Sequence, residues 1–509
     1  METKTAAIEM RNITKRFGPV LANDKVWLNI YRGEILALLG ENGSGKTTLM
    51  NMLSGIYFPD EGEIKIDGKE VVIRSPKDAF DNGIGMIHQH FKLVDVLTAA
   101  ENIVLGLPGK LDLKAASAKI REICDKYGFS VDPAQKIYDM SVSQKQTVEI
   151  VKVLYRGADI LILDEPTAVL TPQETDKLFA VLRNMRNDGK AIVIITHKMH
   201  EVEALSDRVA ILRHGQFIGD MLTAHTNAQE MTNMMVGHAV SLNIERPDPV
   251  DPKPRIEVKG LTVRSVDGIV KLDDVSFTAN SGEILGIAGI SGCGQKELLE
   301  AIAGLQTVES GSISYIEDDG SRDELIGKDP LSIAELGVSL SFVPEDRLGM
   351  GLVGNMNLAD NMMLRSFRRG KSIFTDRRSP RALAESVVQE LSVSTPSVDT
   401  PVRRLSGGNV QKVLVGREIA SAPTVLLTAY AVRGLDIHSS YTIYDLINCQ
   451  KKAGVAVIFV GEDLDVLLEL CDRILVLCGG KVSGIVSGRG AEKREVGMMM
   501  TKLGGQSHE

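Results

Sequence analysis

A chain of 509 residues is long enough for two to four domains, and 43% hydrophobic with 25% charged residues is ordinary for folded globular proteins. The formal charge of −9 argues against the basic face that a nucleic-acid partner requires, so no such partner is expected. No apolar run approaches the ~18 residues of a membrane span, and the start, METKTAAIEM, has no signal-peptide core; an intracellular protein that can dock on a membrane protein is expected.

Taken in chain order, short apolar strands alternate with helical stretches, the pattern of α/β domains with a mostly parallel core sheet. In ITKRFGPV, Phe17 offers an aromatic face for a base such as adenine, with a core position as the alternative. The strand-like EILALL then runs into GENGSGKTT (Gly40–Thr48) and a helix-like TTLMNMLSG, the context that G-x-x-x-x-G-K-[ST] requires. Gly40, Gly43 and Gly45 let the backbone fold around phosphate, and the amides of Asn42, Ser44 and Thr48 fall in the same loop and helix start. Lys46 suits the β/γ-phosphates and the Thr47 hydroxyl suits Mg²⁺. Gln89, in GMIHQH, is a candidate sensor of metal and partner, or a plain surface glutamine.

Further on, ILILDEP is a buried strand that delivers Asp164 for Mg²⁺ and Glu165 to position and polarise a water. AIVIITH ends on His197, a candidate γ-phosphate contact. IERPDPVDPKPR then brings four prolines and mixed charge, the composition of an extended linker. The expected organisation is a first domain over 1–243, a linker over 244–255 and a second domain over 256–509. Cys124, Cys293, Cys449, Cys471 and Cys478 form no Cys-x-x-Cys pair and are expected as reduced thiols.

The second half repeats the first. RGEILALLGENGSGKTTLMNMLSG recurs as SGEILGIAGISGCGQKELLEAIAG, offset by 249, and ILILDEPTAVLT recurs as VLLTAYAVRGLD, offset by 265. Gly289 and Gly294 survive in the second glycine loop, but Gln295 replaces the lysine and Lys296 the hydroxyl. Ala429 and Tyr430 replace the two acids, Glu345 stands where Gln89 stands, and Glu462 replaces the histidine. The first half has its own defect: MSVSQ (Met140–Gln144) keeps Ser141, but Val142 and Ser143 stand where LSGGN (Leu405–Asn409) has glycines.

The set Gly40–Thr48, Gln89, the Ser141 segment, Asp164–Glu165 and His197, in that order, resembles an ABC transporter ATPase, and LSGGN is that family's signature almost unmodified. The resemblance covers both halves. It implies two tandem P-loop NTPase domains, each with an antiparallel β subdomain and a helical signature subdomain beside the core sheet, and ATP and Mg²⁺ as cofactors. It also implies head-to-tail pairing, in which each site joins the glycine loop of one half to the signature of the other. Lys46, Asp164, Glu165 and His197 would then meet Ser406, Gly407, Gly408 and Asp436, while Gln295, Ala429, Tyr430 and Glu462 would meet Met140–Gln144. One complete and one degenerate site result, and whether the degenerate one holds nucleotide stays open.

VPEDR and LSGGNVQK resemble fused ATPases of bacterial importers for simple sugars and nucleosides, and GIGMIHQHFKLVDVLTAAENIVLG is similar to the nucleoside branch. The resemblance implies purine or broad-range nucleosides as cargo, with ribose- or galactose-type sugars as the alternative and a tandem-ABC translation factor as a distant one. Implied partners are two integral-membrane permease subunits and an extracytoplasmic solute-binding protein or lipoprotein, with the chain peripheral on the cytoplasmic face of the membrane. His90, Phe91, Met350 and Leu352 are docking candidates, equally readable as core or rim residues.

Overall fold

The computed structural model describes residues 6–88, 91–109, 111–167, 170–196, 198–237, 243–265, 267–290, 292–336, 340–367 and 375–502. The chain divides into two compact units, Met1–Ser241 and Leu242–Glu509.

The first unit contains β1 (Ala6–Phe17), β2 (Val20–Tyr31), β3 (Glu34–Leu39), β4 (Glu61–Ile66), β5 (Lys69–Val71), β6 (Ile84–Ile87), β7 (Ile160–Asp164), β8 (Ala191–Ile195), β9 (Arg208–Arg213) and β10 (Gln216–Leu222). They form a four-stranded antiparallel sheet, β2-β1-β4-β5, and a six-stranded sheet, β10-β9-β3-β8-β7-β6, parallel except for the edge strand β10. In β2 the buried Val26, Leu28 and Ile30 alternate with exposed residues, as a sheet with one wet face requires. By contrast, EILALL of β3 and AIVII of β8 are buried throughout, because both faces of a parallel sheet are covered. The period of two then sorts their side chains. Leu36, Leu38, Ile162 and Val193 pack toward the antiparallel sheet and the helix Lys46–Leu53, while Ile35, Leu161, Leu163 and Ile192 pack against the helix Pro172–Asn187. A satellite core of Ile103, Ile120, Met140 and Val148 joins the helices Ala99–Val104, Leu113–Tyr127 and Val142–Tyr155 into a helical subdomain.

The second unit repeats this plan with β11 (Pro254–Arg264), β12 (Val270–Asn280), β13 (Ile284–Gly289), β14 (Ser310–Ile316), β15 (Arg322–Glu324), β16 (Leu340–Val343), β17 (Val425–Ala429), β18 (Ala456–Val460), β19 (Arg473–Cys478) and β20 (Lys481–Ser487). Its sheets run β12-β11-β14-β15 and β20-β19-β13-β18-β17-β16, the same two orders. Register is repeated as well: Leu38 and Asp164 both pair with Ile195, and Ile287 and Ala429 both pair with Val460.

The proline-rich segment differs from a free linker. Pro254 and Arg255 already belong to β11, and the residues before them are strapped to the second unit. Ile244 is buried in its core, the Arg246 guanidinium donates to the Leu468 and Cys471 carbonyls at 2.7 Å each, and Lys451 Nζ donates to the Pro247 carbonyl at 2.5 Å. Proline removes amide donors, but these carbonyls still accept from side chains. No helix among the described residues is long and apolar enough to cross a membrane.

Candidate functional site

The first glycine loop leaves the carboxyl end of β3 between β8 and β9, where the edge of an open parallel sheet forms a crevice. Gly45 caps the helix Lys46–Leu53 with φ 94° and ψ 4°, and a Cβ there would lie 2.4 Å from the Ala22 carbonyl. A Cβ on Gly40 would meet the Leu212 carbonyl at 2.2 Å. Gly40 and Gly45 are thus dictated by close backbone approach, in a loop that runs straight into a helix N-terminus, an arrangement that suits an anion.

Lys46 is only 9% exposed, and its ammonium donates to the Gly40 and Glu41 carbonyls at 2.6 and 2.8 Å. Burial pulls its pKa down to about 8, against the pull of Glu165, Asp164 and Glu41. Asp164, at the end of β7, receives the Thr47 hydroxyl at 3.3 Å, and burial and then Glu165 raise its pKa. A buried carboxylate short of positive charge beside a hydroxyl is a hard-oxygen donor pair, which fits Mg²⁺ completed by phosphate and water. Glu165 takes the left-handed conformation, φ 47°, with its amide donating to the Ile195 carbonyl at 2.9 Å. A non-glycine residue there costs about 1–2 kcal/mol, a strain of the kind that accumulates at functional sites. Phe17 is 41% exposed, in edge-to-face contact with Tyr57, ring centroids 5.1 Å apart, and with Lys15 Nζ 5.6 Å from its ring centre, so it is not a core residue. Gln89 and His197 lie outside the described residues, as does His90; β6 and β8, which lead toward them, end at Ile87 and Ile195.

The signature segments are helix starts. Ser141 caps Val142–Tyr155 and exchanges side-chain–backbone bonds with Gln144, a closed capping box. Ser406 caps Gly407–Ile419, and its hydroxyl accepts from the Asn409 side chain at 2.9 Å. A Cβ on Gly408 would stand 3.4 Å from Asp436 Oδ2, so the second unit brings Gly408 and Asp436 together. Asp436 caps the helix Ile437–Lys452, accepting from the Ser439 amide and hydroxyl at 2.7 and 2.8 Å; Thr171 caps the corresponding helix in the first unit.

The second glycine loop ends on the same kind of helix cap as the first. Gly294 caps the helix Gln295–Ile302 with φ 98° and ψ 5°. Gln295 is buried where Lys46 is, and its amide donates to the Ile290 carbonyl at 3.2 Å. Lys296 points outward to Glu300 at 3.7 Å. Ala429 is buried, and Tyr430 takes φ 51° with its amide donating to the Val460 carbonyl at 2.9 Å, the backbone of Glu165 without its carboxylate. Burial, followed by Glu345 and Glu462, pushes the Tyr430 hydroxyl up to about 12.

Sequence reasoning missed three residues at these sites. Buried Glu201 accepts from Thr167 and Thr196 at 2.5 and 3.2 Å and pairs with Lys198 at 3.3 Å, so it clamps the segments after β7 and β8 together. Buried Asn23 donates to the Gly45 carbonyl at 3.3 Å, where the repeat has Leu272. Arg433 contacts both Glu345 and Glu462. The offset of 265 aligns Arg433 with Ala168, a gained charge that alignment of the halves makes visible. Of the docking candidates, Met350 is exposed and Phe91 half-buried, but Leu352 packs in the core of the second unit and is withdrawn as a docking residue.

The ABC transporter family profile matches residues 23–168 and 272–428. The nucleoside import ATP-binding protein NupA of Lactococcus lactis subsp. cremoris is 42% identical over 99% of both chains. The glucose import ATP-binding protein TsgD13 of Haloferax volcanii is 40% identical over 98% of this chain and 96% of its own. The guanosine import ATP-binding protein NupO of Bacillus subtilis is 40% identical over 97% of each. With two sheets of one topology and similarity that spans nearly the whole length, the chain belongs to the ABC transporter family and is an ATPase of that family in which the family profile occurs twice.

Proposed function

We propose that the chain is the ATP-hydrolysing subunit of a bacterial nucleoside importer, driving two membrane permease subunits supplied by a solute-binding protein, and that it works with one catalytic and one silent composite site. The observation that carries this reading is the distribution of defects. The intact phosphate loop and acids are in the first unit, while the glycine signature and Asp436 are in the second. Head-to-tail pairing collects every sound part at one nucleotide; decay of one unit alone would have spoiled Ser406–Gly408 too.

At that nucleotide Phe17 stacks on adenine, and Lys46 exchanges the Gly40 and Glu41 carbonyls for β/γ-phosphate oxygens. Thr47 and Asp164, with Gln89 nearby, would hold Mg²⁺, which would supply positive charge to those phosphates when bound. Glu165 orients a water and takes its proton as the oxygen bonds to the γ-phosphorus and the bond to the β–γ bridging oxygen breaks, so that ADP leaves and phosphate is formed; His197 contacts the γ-phosphate. Ser406 and the Gly407 and Gly408 amides close on the same phosphate. Closure moves the permease helices and hydrolysis resets them.

Nucleoside cargo is supported by two relatives named for nucleoside and guanosine import and by the HQHF segment; the glucose import relative supports a sugar as the second reading. The test is reconstitution with the partner permeases and binding protein in vesicles loaded with ATP. Uptake of guanosine or adenosine, blocked by Glu165→Gln, is expected; uptake of ribose or glucose with no nucleoside uptake would overturn the cargo.

A further inference from the structure

We infer that Arg433 is a resident cation that closes the second unit's phosphate site from within, so that this site takes no Mg·ATP and its strand-end segments are held together without nucleotide. Arg433 follows Tyr430 in the turn after β17. Its Nη1 meets Glu345, in the segment after β16, and its Nε lies 2.9 Å from Glu462, in the segment after β18. Its guanidinium carbon also sits 6.0 Å from the centre of the Tyr430 ring. Glu345 and Glu462 stand where the first half has Gln89 and His197, the two residues expected to face metal and γ-phosphate. One guanidinium therefore ties together three segments that in the first unit would be bridged by bound nucleotide. The first half has Ala168, Gln89 and His197 at these places, so it cannot form this cluster.

The charge balance points the same way. Tyr430 feels Glu345, Glu462 and Glu297 against Arg433 alone, so the place of a γ-phosphate is acidic, and Lys296 is turned away to Glu300. A triphosphate entering here would meet carboxylates with neither a loop lysine nor a metal-binding acid to receive it. The cluster also reaches the signature. The Arg433 carbonyl accepts from Arg347 Nη2, and Arg347 Nη1 donates to the Gly407 carbonyl at 3.4 Å. The tie therefore also steadies the glycine segment that the proposed pairing offers to the live nucleotide.

The inference rests on the proposed matching of Glu345 and Glu462 with Gln89 and His197, and not on the cargo: nucleoside uptake can fail while the following result stands. The test is amide hydrogen exchange on the full chain without nucleotide, read on peptides covering 344–351 and 461–463. Two partly exposed ion pairs on one guanidinium set the scale at about fivefold. Arg433→Ala is expected to speed exchange by that factor in both peptides, Glu345→Gln in the first only and Glu462→Gln in the second only; Arg433→Lys restores part of the protection. In a Lys46→Ala chain, Mg·ATP is expected to leave exchange of residues 292–302 unchanged. Unaltered exchange in Arg433→Ala, or protection of 292–302 by Mg·ATP in the Lys46→Ala chain, would overturn the inference.

Discussion

The two glycine loops end on the same helix cap and part company in their side chains. Gly45 and Gly294 cap equivalent helices at nearly the same φ and ψ, and Glu165 and Tyr430 share a left-handed turn bonded to the end of the neighbouring strand. The frame behind them is duplicated too. Asp207 and Asp472 accept from the Ile35 and Ile284 amides, both at 2.9 Å. Arg208 pairs with Glu34 and donates to the Asn29 carbonyl, just as Arg473 pairs with Glu283 and donates to the Thr278 carbonyl. Groups that hold the central strands are kept in both units, while groups that would touch phosphate are kept in one. Folding and catalysis therefore draw on separable residues, and a unit can lose its chemistry and keep its shape.

Paired substitutions sharpen or break that contrast. Glu165→Gln is expected to lower ATP turnover by about 10²-fold or more while ATP still binds, and Tyr430→Phe to leave turnover within about twofold. Steady-state hydrolysis beside equilibrium nucleotide binding checks both; near-normal turnover by Glu165→Gln refutes its assignment as base. Chelation of Mg²⁺ should stop turnover by the whole chain, since Thr47 and Asp164 have no working counterpart in Lys296 and Ala429. Residual Mg²⁺-free hydrolysis would break the contrast.

Ser406→Ala is expected to cost about tenfold or more in turnover and Ser141→Ala less than about twofold, because under the proposed pairing the first hydroxyl would meet developing phosphate charge and the second would only cap a helix at a silent site. Equal losses would show the pairing of half-sites to be wrong. The smallest expected effect is that of Glu201→Gln. It keeps the clamp's shape and loses its charge, and should reduce stability by about 1–3 kcal/mol, read as a lower melting temperature.

Much of this architecture is legible in the sequence, for a local reason. Runs such as ILALL, ILILD and AIVII are buried on both faces and need no partner to be recognised, and the glycine loops carry their geometry in residue type. Order along the chain then places Lys46, Asp164 and Glu165 at one sheet edge. What stays hidden depends on contacts between distant segments. Arg433 meets Glu345 and Glu462 only because β17 lies between β16 and β18. Glu201 reads as an ordinary helix residue until its hydroxyl partners close around it, and Leu352 reads equally as a docking, core or rim residue until the core around it is seen. The strapped proline segment shows the same limit, since composition predicts its extended backbone and not the carbonyl acceptors that bind it to the second unit.

The most direct measurement is the structure of the Glu165→Gln chain loaded with Mg·ATP. The account predicts a single Mg·ATP held by Lys46 and Thr47, with Ser406 Oγ and the Gly407 and Gly408 amides at about 3 Å from its γ-phosphate oxygens. A γ-phosphate on Lys46 faced instead by Met140–Gln144, or far from residues 406–408, would contradict it.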